Sequence, residues 1–357
     1  MSAKRIGELR KKMRRENLDA LIVSNLDHVR YLTGFTGSAA LLLITGRKAD
    51  MFTDSRYTEQ ADKQVSGAGV HTVKGDMLAA LKDFPGFHAA NSRYGFDSEH
   101  LSVAGRDRAK QALPKVLLVP AANVFAELGW VKDAIELKHI AHAAHIADLA
   151  FERVLGMVAP GVRERDLAAE LEYQMKMFGS EDPAFETIIA SGYRSALPHG
   201  VASAKKIKKG DLVTFDFGAK VNGYVSDITR TVVAGKATPR QKKIYSLVLK
   251  AQVAGIKKVR AGIEAKKVDA ACRKIITKAG YGKNFGHGTG HGIGFFVHVG
   301  PRVGAASPDK LMVNNVITIE PGIYISGWGG VRIEDDVVVT RSGGRVLNKA
   351  PKNLLEL

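Results

Sequence analysis

The chain has 357 residues, 45% of them hydrophobic, which is enough to bury a sizeable core in two domains or in one large one. Its 53 Lys and Arg residues against 36 Asp and Glu residues give a net charge of +17, which raises the hypothesis of a nucleic-acid or anionic-surface partner. The basic residues are scattered over helical patterns and turns without interleaved aromatic residues. We therefore interpret them as a solvated surface and expect no nucleic-acid partner.

Cys272 is the only cysteine, which excludes an intramolecular disulfide and fits a reducing cytoplasm. It lies in a helical pattern with Val268 and Ile275, so we expect a small buried side chain there. The N-terminal residues are charged throughout and do not resemble a signal peptide. The longest apolar runs are far shorter than the ~20 residues that a membrane-spanning helix needs. The sequence predicts a soluble, cytoplasmic protein with no membrane partner.

Residues 1–127 carry an alternation of helix and strand patterns. Apolar residues at helical spacing predict an amphipathic helix over 4–16, and buried strands lie on both sides of an expected turn at 32–37. Short helices and strands continue to residue 119 and include a helix over 77–84. The histidines of this region are isolated, and we expect structural or exposed roles for His28, His71, His88 and His100. This pattern predicts an α/β domain.

Residues 128–357 repeat one order of elements. Two helices, over 134–158 and 164–178, precede a β-hairpin over 211–233. Two further helices, the first beginning at the cap Thr238-Pro239, precede a second pair of strands. The repetition predicts a second domain built from two pseudo-symmetric halves, with a site between them.

The stretch from Gly286 to Pro301, GHGTGHGIGFFVHVGP, contains three histidines and a glycine at every second position of its first half. Each glycine would cost a helix about 1 kcal/mol relative to alanine, so we expect an extended or looped backbone. The run matches neither the dinucleotide pattern nor the phosphate-loop pattern. We interpret it as a metal or general-acid site, in which the glycines leave room for a substrate to approach the metal.

Four carboxylates stand in strand patterns: Asp216, Asp227, Glu320 and Glu334. A carboxylate inside a buried strand is costly unless it is paired or bound to a metal. We expect Asp216 and Asp227 to face each other across the hairpin, and we expect Asp335 and Asp336 to form only salt bridges or turn caps. Four acids with nearby histidines are typical of a dinuclear hydrolase, and oxygen ligands with one imidazole favour Mn²⁺, Co²⁺ or Zn²⁺. Salt bridges to the many Lys and Arg residues are the alternative for each acid.

The motifs FETIIASGYRSALPHG, FDFGAKVNGYVSDITRT, GHGTGHGIGFFVH, ITIEPGIYI and GVRIEDDVVVT together resemble the pita-bread metallopeptidase family, which includes methionine aminopeptidase, aminopeptidase P and prolidase. The N-terminal VRYLTGFTGSAALLLIT resembles the extra domain of aminopeptidase P and prolidase. The resemblance implies an α/β N-terminal (creatinase-type) domain over residues 1–127. It also implies an α+β pita-bread (creatinase/aminopeptidase) catalytic domain with pseudo-two-fold halves over residues 128–357.

The same resemblance implies a ligand set for two divalent metal ions, most simply Mn²⁺. Asp216 would bind one metal, Asp227 and Glu334 would bridge both, and His291 and Glu320 would complete the other. Glu320 would also act as general base. Three histidines match family positions around the substrate: His199 would stabilise the tetrahedral intermediate, His298 would contact the substrate, and His287 would line its pocket. Tyr324 and Arg332 match positions that orient ligands and substrate.

One position departs from the family pattern, because Val299 stands where the family usually has glutamate after the histidine. That glutamate is not a metal ligand, so we expect the metal cluster to survive and the fine specificity of the pocket to differ. 

The resemblance implies a cytoplasmic, homodimeric metallopeptidase that cleaves the bond before proline. The sequence leaves open whether it is an Xaa-Pro aminopeptidase acting on peptide N-termini or an Xaa-Pro dipeptidase. Hydrolysis of another C–N bond on the same fold is a further alternative. A different class of function also stays open, namely a non-peptidase binding protein that engages nucleic acid or ribosomes through its basic surface.

Overall fold

The computed structural model describes residues 2–83 and 90–357, and the chain divides into two compact units, residues 1–128 and 129–357. His88 and the end of the helix predicted over 77–84 lie outside the described residues. Within the described part of the chain, no helix is both long enough and apolar enough to cross a membrane.

The first unit is an α/β domain with one mixed six-stranded sheet in the order β4-β3-β2-β1-β5-β6. Its strands are β1 Ala20–Val23, β2 Leu41–Thr45, β3 Ala49–Thr53, β4 Gly69–Thr72, β5 Arg93–Phe96 and β6 Leu117–Pro120. Its helices are α1 Ser2–Arg15, α2 Leu26–Thr33, α3 Thr58–Gln64, α4 Met77–Ala80, α5 Val103–Ala112 and α6 Ala122–Ala126. The core contains Ile22, Leu43, Phe52 and Phe96, because alternate residues of the central strands point inward.

The turn predicted at 32–37 is wrong in part, since helix α2 runs to Thr33. The side chain of Asn25 caps this helix by accepting hydrogen bonds from the N–H groups of Asp27 and His28. Gly34 ends it at φ 86°, in the left-handed region that glycine tolerates. An eight-residue helix shows too few apolar repeats to be separated from a turn by sequence pattern.

The three histidines that the structure describes in the first unit hold structural or exposed positions. His28 Nδ1 lies 3.3 Å from Asp97 Oδ2, and His71 Nε2 lies 2.9 Å from Asp50 Oδ1. His100 is exposed.

The second unit carries the longer helices and the remaining strands. Its helices are α7 Ala134–Leu155, α8 Glu164–Met177, α9 Pro239–Lys258 and α10 Ala265–Lys278. Its strands are β7 Ile188–Ser191, β8 Leu212–Phe217, β9 Lys220–Val221, β10 Tyr224–Val225, β11 Ile228–Val233, β12 Gly290–Gly292, β13 Val299–Val303, β14 Val316–Ile319, β15 Gly322–Ile325, β16 Gly329–Arg332, β17 Asp335–Val339 and β18 Gly344–Val346. The cap predicted at Thr238-Pro239 begins α9, where Thr238 and Gln241 form a capping box.

The second unit has two apolar cores, each formed by a pair of helices against strands. One core packs α7 and α8 onto the sheet β11-β8-β7, around residues such as Phe151 and Phe215. The other packs α9 and α10 onto the sheet β13-β12-β14-β17-β18 and contains the predicted buried Cys272. This arrangement matches the two halves predicted from the repeated order of elements.

The hairpin β8–β11 differs from the prediction in its register. Asp216 pairs with Thr229, and Asp227 lies before β11 rather than opposite Asp216. The cause is the short hairpin of β9 and β10, which takes up the intervening residues as a separate ladder. The position of Asp227 is therefore set by the start of β11, and not by pairing with a residue of the opposite strand.

Candidate active site

The four predicted carboxylates lie at one region of the second unit but not all inside strands. Asp216 is within β8, whereas Asp227 directly precedes β11 and Glu320 directly follows β14. Glu334 lies between β16 and β17. The expectation of four acids in strand interiors is wrong for three of them, because side chains within one strand must alternate between faces while residues at strand ends can turn toward a common point.

These carboxylates converge with His291, which lies in β12. Asp227, His291 and Glu334 each place a ligand atom within 4.8 Å of the others. His291 Nε2 is 3.7 Å from Asp227 Oδ2 and 3.4 Å from Glu320 Oε1. The group is therefore a cluster of acids around one imidazole nitrogen.

Burial and mutual repulsion raise the pKa values of the clustered acids. The pKa of Asp227 is raised well above its usual value by desolvation and then by the charges of Glu334 and Asp216. The pKa of Glu334 is raised in the same way by burial and by Glu320. Burial raises the pKa of Glu320 to about 8. So much negative charge in one buried place is costly without a compensating cation.

His291 is oriented as a neutral ligand. Its Nδ1 lies 3.1 Å from the carbonyl oxygen of Gly292, which can only accept, so Nδ1 carries the proton. Burial, followed by the charge of His298, lowers the pKa of His291 to about 4, which leaves the ring neutral at pH 7. Its Nε2 therefore carries a lone pair, which faces the carboxyl oxygens of Asp227 and Glu320. This donor set fits a divalent cation, which would accept from the imidazole and the carboxylates alike.

Arg332 ties this cluster to a neighbouring aromatic residue. Its buried guanidinium donates from Nη2 to Asp216 Oδ2, from Nε to Thr229 Oγ1 at 3.0 Å, and from Nη1 to Tyr324 Oη at 2.9 Å. Thr229 Oγ1 in turn donates to Glu334 Oε2. Arg332 therefore fixes two of the acids at once, and its own pKa stays well above its usual value because the surrounding anions outweigh its burial.

The three predicted histidines other than His291 lie near one another. His287 Nδ1 donates to the carbonyl of Gly288 at 2.7 Å, and its Nε2 accepts from Tyr324 Oη at 2.9 Å. The ring centroid of His298 lies 4.3 Å from that of His291. His199 is exposed. Burial is the main cause that lowers the pKa of His287, to about 4, and the pKa of His298, and the neighbouring His199 contributes to both shifts.

The alternating glycines serve strand pairing more directly than substrate clearance. A Cβ on Gly290 would lie 2.0 Å from the carbonyl oxygen of Thr318, and one on Gly292 would lie 2.2 Å from that of Gly300. Both contacts are with backbone of the neighbouring strands β14 and β13. The expectation that glycine leaves room for a peptide is thus wrong at these two positions, where it lets the strand carrying His291 approach its neighbours.

Comparison with known proteins places this architecture in a family. The family model described as metallopeptidase family M24 matches residues 138–341, and the one described as Creatinase/Prolidase N-terminal domain matches residues 5–128. The chain belongs to metallopeptidase family M24. It combines a creatinase-type N-terminal domain with a catalytic domain of the pita-bread fold, as predicted, and this family implies divalent metal ions.

Several relatives of this M24 metallopeptidase match it over almost their whole length. The Xaa-Pro dipeptidase of Pyrococcus horikoshii is 40% identical, over 96% of this chain and 96% of the relative. The solved structure of an Xaa-Pro dipeptidase from Bacillus anthracis is 40% identical, covers 100% of both chains and superposes with a TM-score of 0.96. The X-Pro aminopeptidase structure from Thermotoga maritima is 36% identical, with a TM-score of 0.88, over 97% of this chain and 99% of that one.

The M24 metallopeptidase also uses residues that the sequence did not single out. Arg230 is 1% exposed and donates to the carbonyls of Thr229 and Glu334, to Asp335 Oδ1, and to the carbonyls of Ala350 and Pro351. It thereby joins the C-terminal segment to the backbone that carries the clustered acids. The sequence does contain one indication, because Arg230 follows Thr229 in a buried strand pattern and a buried arginine needs many hydrogen-bond acceptors.

Asp335 and Asp336 have different roles. Asp335 forms the predicted salt bridges, to Arg230 at 2.8 Å and to Lys352 at 2.6 Å. Asp336 is neither a turn cap nor paired in this way: it lies in β17, and its Oδ2 accepts the backbone N–H of Asp227 at 3.0 Å. Asp336 therefore holds the backbone of Asp227 in place.

Proposed function

We propose that this M24 metallopeptidase is an Xaa-Pro dipeptidase that works with two divalent metal ions, Mn²⁺ in the first instance. The observation that carries the proposal is the group of acids at the neutral Nε2 of His291, in which Asp227 and Glu334 are buried and Glu320 is partly buried. Relatives at 40% and 38% identity are named Xaa-Pro dipeptidase and support the choice of substrate. The X-Pro aminopeptidase among the similar structures makes longer peptides the second candidate substrate.

Five side chains would hold the metal ions: Asp216, Asp227, His291, Glu320 and Glu334. Divalent ions at such a site supply Lewis-acid activation of water and of the scissile carbonyl. A set with four carboxylates and one imidazole suits Mn²⁺, Co²⁺ or Zn²⁺ better than a thiolate-preferring ion.

The protein's own groups would position the substrate and move protons. Glu320 would accept the proton of the attacking water at its carboxylate when bound cations keep that carboxylate ionised, and its burial strengthens its affinity for the proton. Tyr324 holds His287 through the hydrogen bond from its hydroxyl, so that the His287 ring keeps one orientation. His199 and His298 are exposed and would donate hydrogen bonds to the substrate and to the oxygen that becomes charged during hydrolysis.

A bond to proline suits a dedicated site because its nitrogen carries no N–H and its ring fixes φ. Recognition must therefore come from the shape of the ring and from the groups on either side of it. The free carboxylate of a dipeptide lies directly after the ring, whereas an aminopeptidase substrate continues there. The pair of substrates Ala-Pro and Ala-Pro-Ala separates the two activities.

The test is to measure kcat/KM for Ala-Pro and Ala-Pro-Ala after chelation and after addition of Mn²⁺, Co²⁺ or Zn²⁺. The proposal expects metal-dependent hydrolysis with preference for the dipeptide. Preference for the tripeptide would instead assign the aminopeptidase activity, and cleavage of neither peptide with any of the ions would refute the proposal. We also propose that the enzyme is a cytoplasmic homodimer. Sedimentation of the purified chain tests whether it forms a dimer.

A further inference from the structure

Glu164 is a buried carboxylate in the first turn of α8, outside the acid cluster. It is 0% exposed and accepts five hydrogen bonds. Its Oε1 accepts from the N–H and the hydroxyl of Ser191 at 2.7 and 2.8 Å. Its Oε2 accepts from the N–H and the hydroxyl of Ser203 at 3.1 and 2.6 Å, and from Arg194 Nε at 3.0 Å. A charge buried this deeply is stable only with such a full set of donors.

The two serines bound by Glu164 are the two ends of one segment, residues 191–203, which carries His199. Arg194 forms a further hydrogen bond within this segment, because its Nη2 donates to the carbonyl of Val201 at 2.6 Å. Val201 in turn donates its N–H to the carbonyl of His199 at 3.0 Å. One carboxylate therefore closes the segment at both ends and, through Arg194, reaches the backbone next to His199.

The segment 191–203 packs against the proposed active site. Ser195 Oγ accepts the N–H of Gly330 at 2.8 Å, in the strand β16 that ends at Arg332. A Cβ on Gly330 would lie 2.3 Å from the carbonyl oxygen of Ser195, so the two backbones are in close contact. His199 also neighbours His287 and His298, since after burial it contributes to the lowered pKa of each. A shift of the segment would move His199 relative to both.

We propose that Glu164 is a positioning residue that fixes the segment 191–203 and thereby presents His199 to the substrate. The inference rests on the proposed function for the role of His199. A carboxylate is required because both of its oxygens accept, whereas the amide of glutamine would turn an NH₂ group toward the donors at one end of the segment. Glu164→Gln keeps the volume of the side chain but removes the hydrogen bonds that hold one end of the segment 191–203.

The experiment is a double-mutant cycle of Glu164→Gln with His199→Ala, measured as kcat/KM on an Xaa-Pro substrate. Glu164→Gln is expected to lower kcat/KM on the order of 10- to 100-fold, as displacement of a catalytic group does. If Glu164 acts through His199, the double variant is no worse than His199→Ala alone, to within about twofold. Effects that multiply independently would overturn the proposal.

The matched control is Asp148→Asn, which removes a buried carboxylate that accepts the N–H groups of Lys349 and Ala350 at 2.6 and 3.0 Å. Its effect on kcat/KM is expected to multiply with that of His199→Ala. If the effects of Asp148→Asn and His199→Ala on kcat/KM were non-additive to the same extent, general destabilisation would explain both double-mutant cycles. That result would contradict the positioning role of Glu164.

Amide hydrogen exchange supplies a readout that does not depend on activity. Glu164→Gln is expected to accelerate exchange within 191–203, and Asp148→Asn is expected to leave that segment unchanged. Unchanged exchange in Glu164→Gln would overturn the proposal. If the wild-type chain cleaves no Xaa-Pro peptide, the proposed function fails and the exchange result alone decides whether Glu164 fixes the segment. Should Glu164→Gln not fold, Ser203→Ala, which removes one hydroxyl bond, is expected to change exchange in the same direction.

Discussion

Replacement of Asp227 by asparagine is expected to stabilise the metal-free protein at neutral pH and to remove most of its stabilisation by divalent ions. Burial and the charges of Glu334 and Asp216 raise the pKa of Asp227 well above its usual value. The carboxyl group therefore stays protonated in the folded, metal-free state at a pH where the unfolded chain has already lost this proton. Asparagine has nearly the same shape and no charge, so it removes that penalty and also a metal ligand.

The sign and size of the effect follow from proton linkage. An acid with a raised pKa in the folded state stabilises fully below its unfolded pKa of about 4, and this contribution is lost as the pH rises through the folded pKa. In that window the free energy of unfolding falls by about 1.4 kcal/mol per pH unit for each such group. Between pH 5 and 7, the free energy of unfolding of the metal-free wild type is thus expected to fall by up to about 3 kcal/mol through Asp227. Asp227→Asn is expected to keep this part of its free energy of unfolding.

The assay is urea unfolding of chelated wild type and Asp227→Asn at pH 5, 6 and 7, repeated with Mn²⁺. Asp107→Asn, an exposed acid on α5, is the control and is expected to follow the wild type. The variant should show a flatter pH dependence without metal and a smaller gain with metal. Parallel loss of stability in the wild type and Asp227→Asn between pH 5 and 7 would refute the electrostatic reasoning.

Two further predictions concern the supports of the site. Gly290→Ala is expected to cost about 2 kcal/mol or more of unfolding free energy, because its Cβ would lie 2.0 Å from the carbonyl oxygen of Thr318; Gly286→Ala, with nothing within 4 Å, is the control. Equal urea midpoints for these two variants would contradict that packing. Tyr324→Phe is expected to lower kcat/KM about tenfold, since the hydroxyl that joins Arg332 to His287 is lost, and unchanged kcat/KM would show that this link does not position the site.

The sequence predicts much of the architecture because its signals are local. The cap at Thr238-Pro239, the extended glycine–histidine run and the repeated order of helices and strands all follow from spacing and backbone preference. The sequence does not predict the short helix α2, because its eight residues give too little periodicity. The residues chosen as ligands lie together in the fold, and their roles toward a metal stay predictions.

Contacts between distant residues lie beyond what sequence pattern can show. Arg230 reaches the carbonyls of residues 350 and 351, and Asp336 holds the N–H of Asp227 over a separation of 109 residues. The role of the glycines at 290 and 292 also cannot be predicted from the sequence, because it depends on which strands lie beside them. Glu164 gave no signal beyond that of an ordinary acid in the first turn of a helix, where its charge is favourable anyway.

The central claim is that the acid cluster around His291 makes this chain a metal-dependent peptidase for the bond before proline. The most direct measurement is hydrolysis of Ala-Pro by the chelated protein before and after addition of Mn²⁺, with Asp227→Asn assayed in parallel. The account predicts no hydrolysis without metal, recovery with Mn²⁺, and little recovery in Asp227→Asn. Hydrolysis that is indifferent to chelation and to this substitution would contradict it.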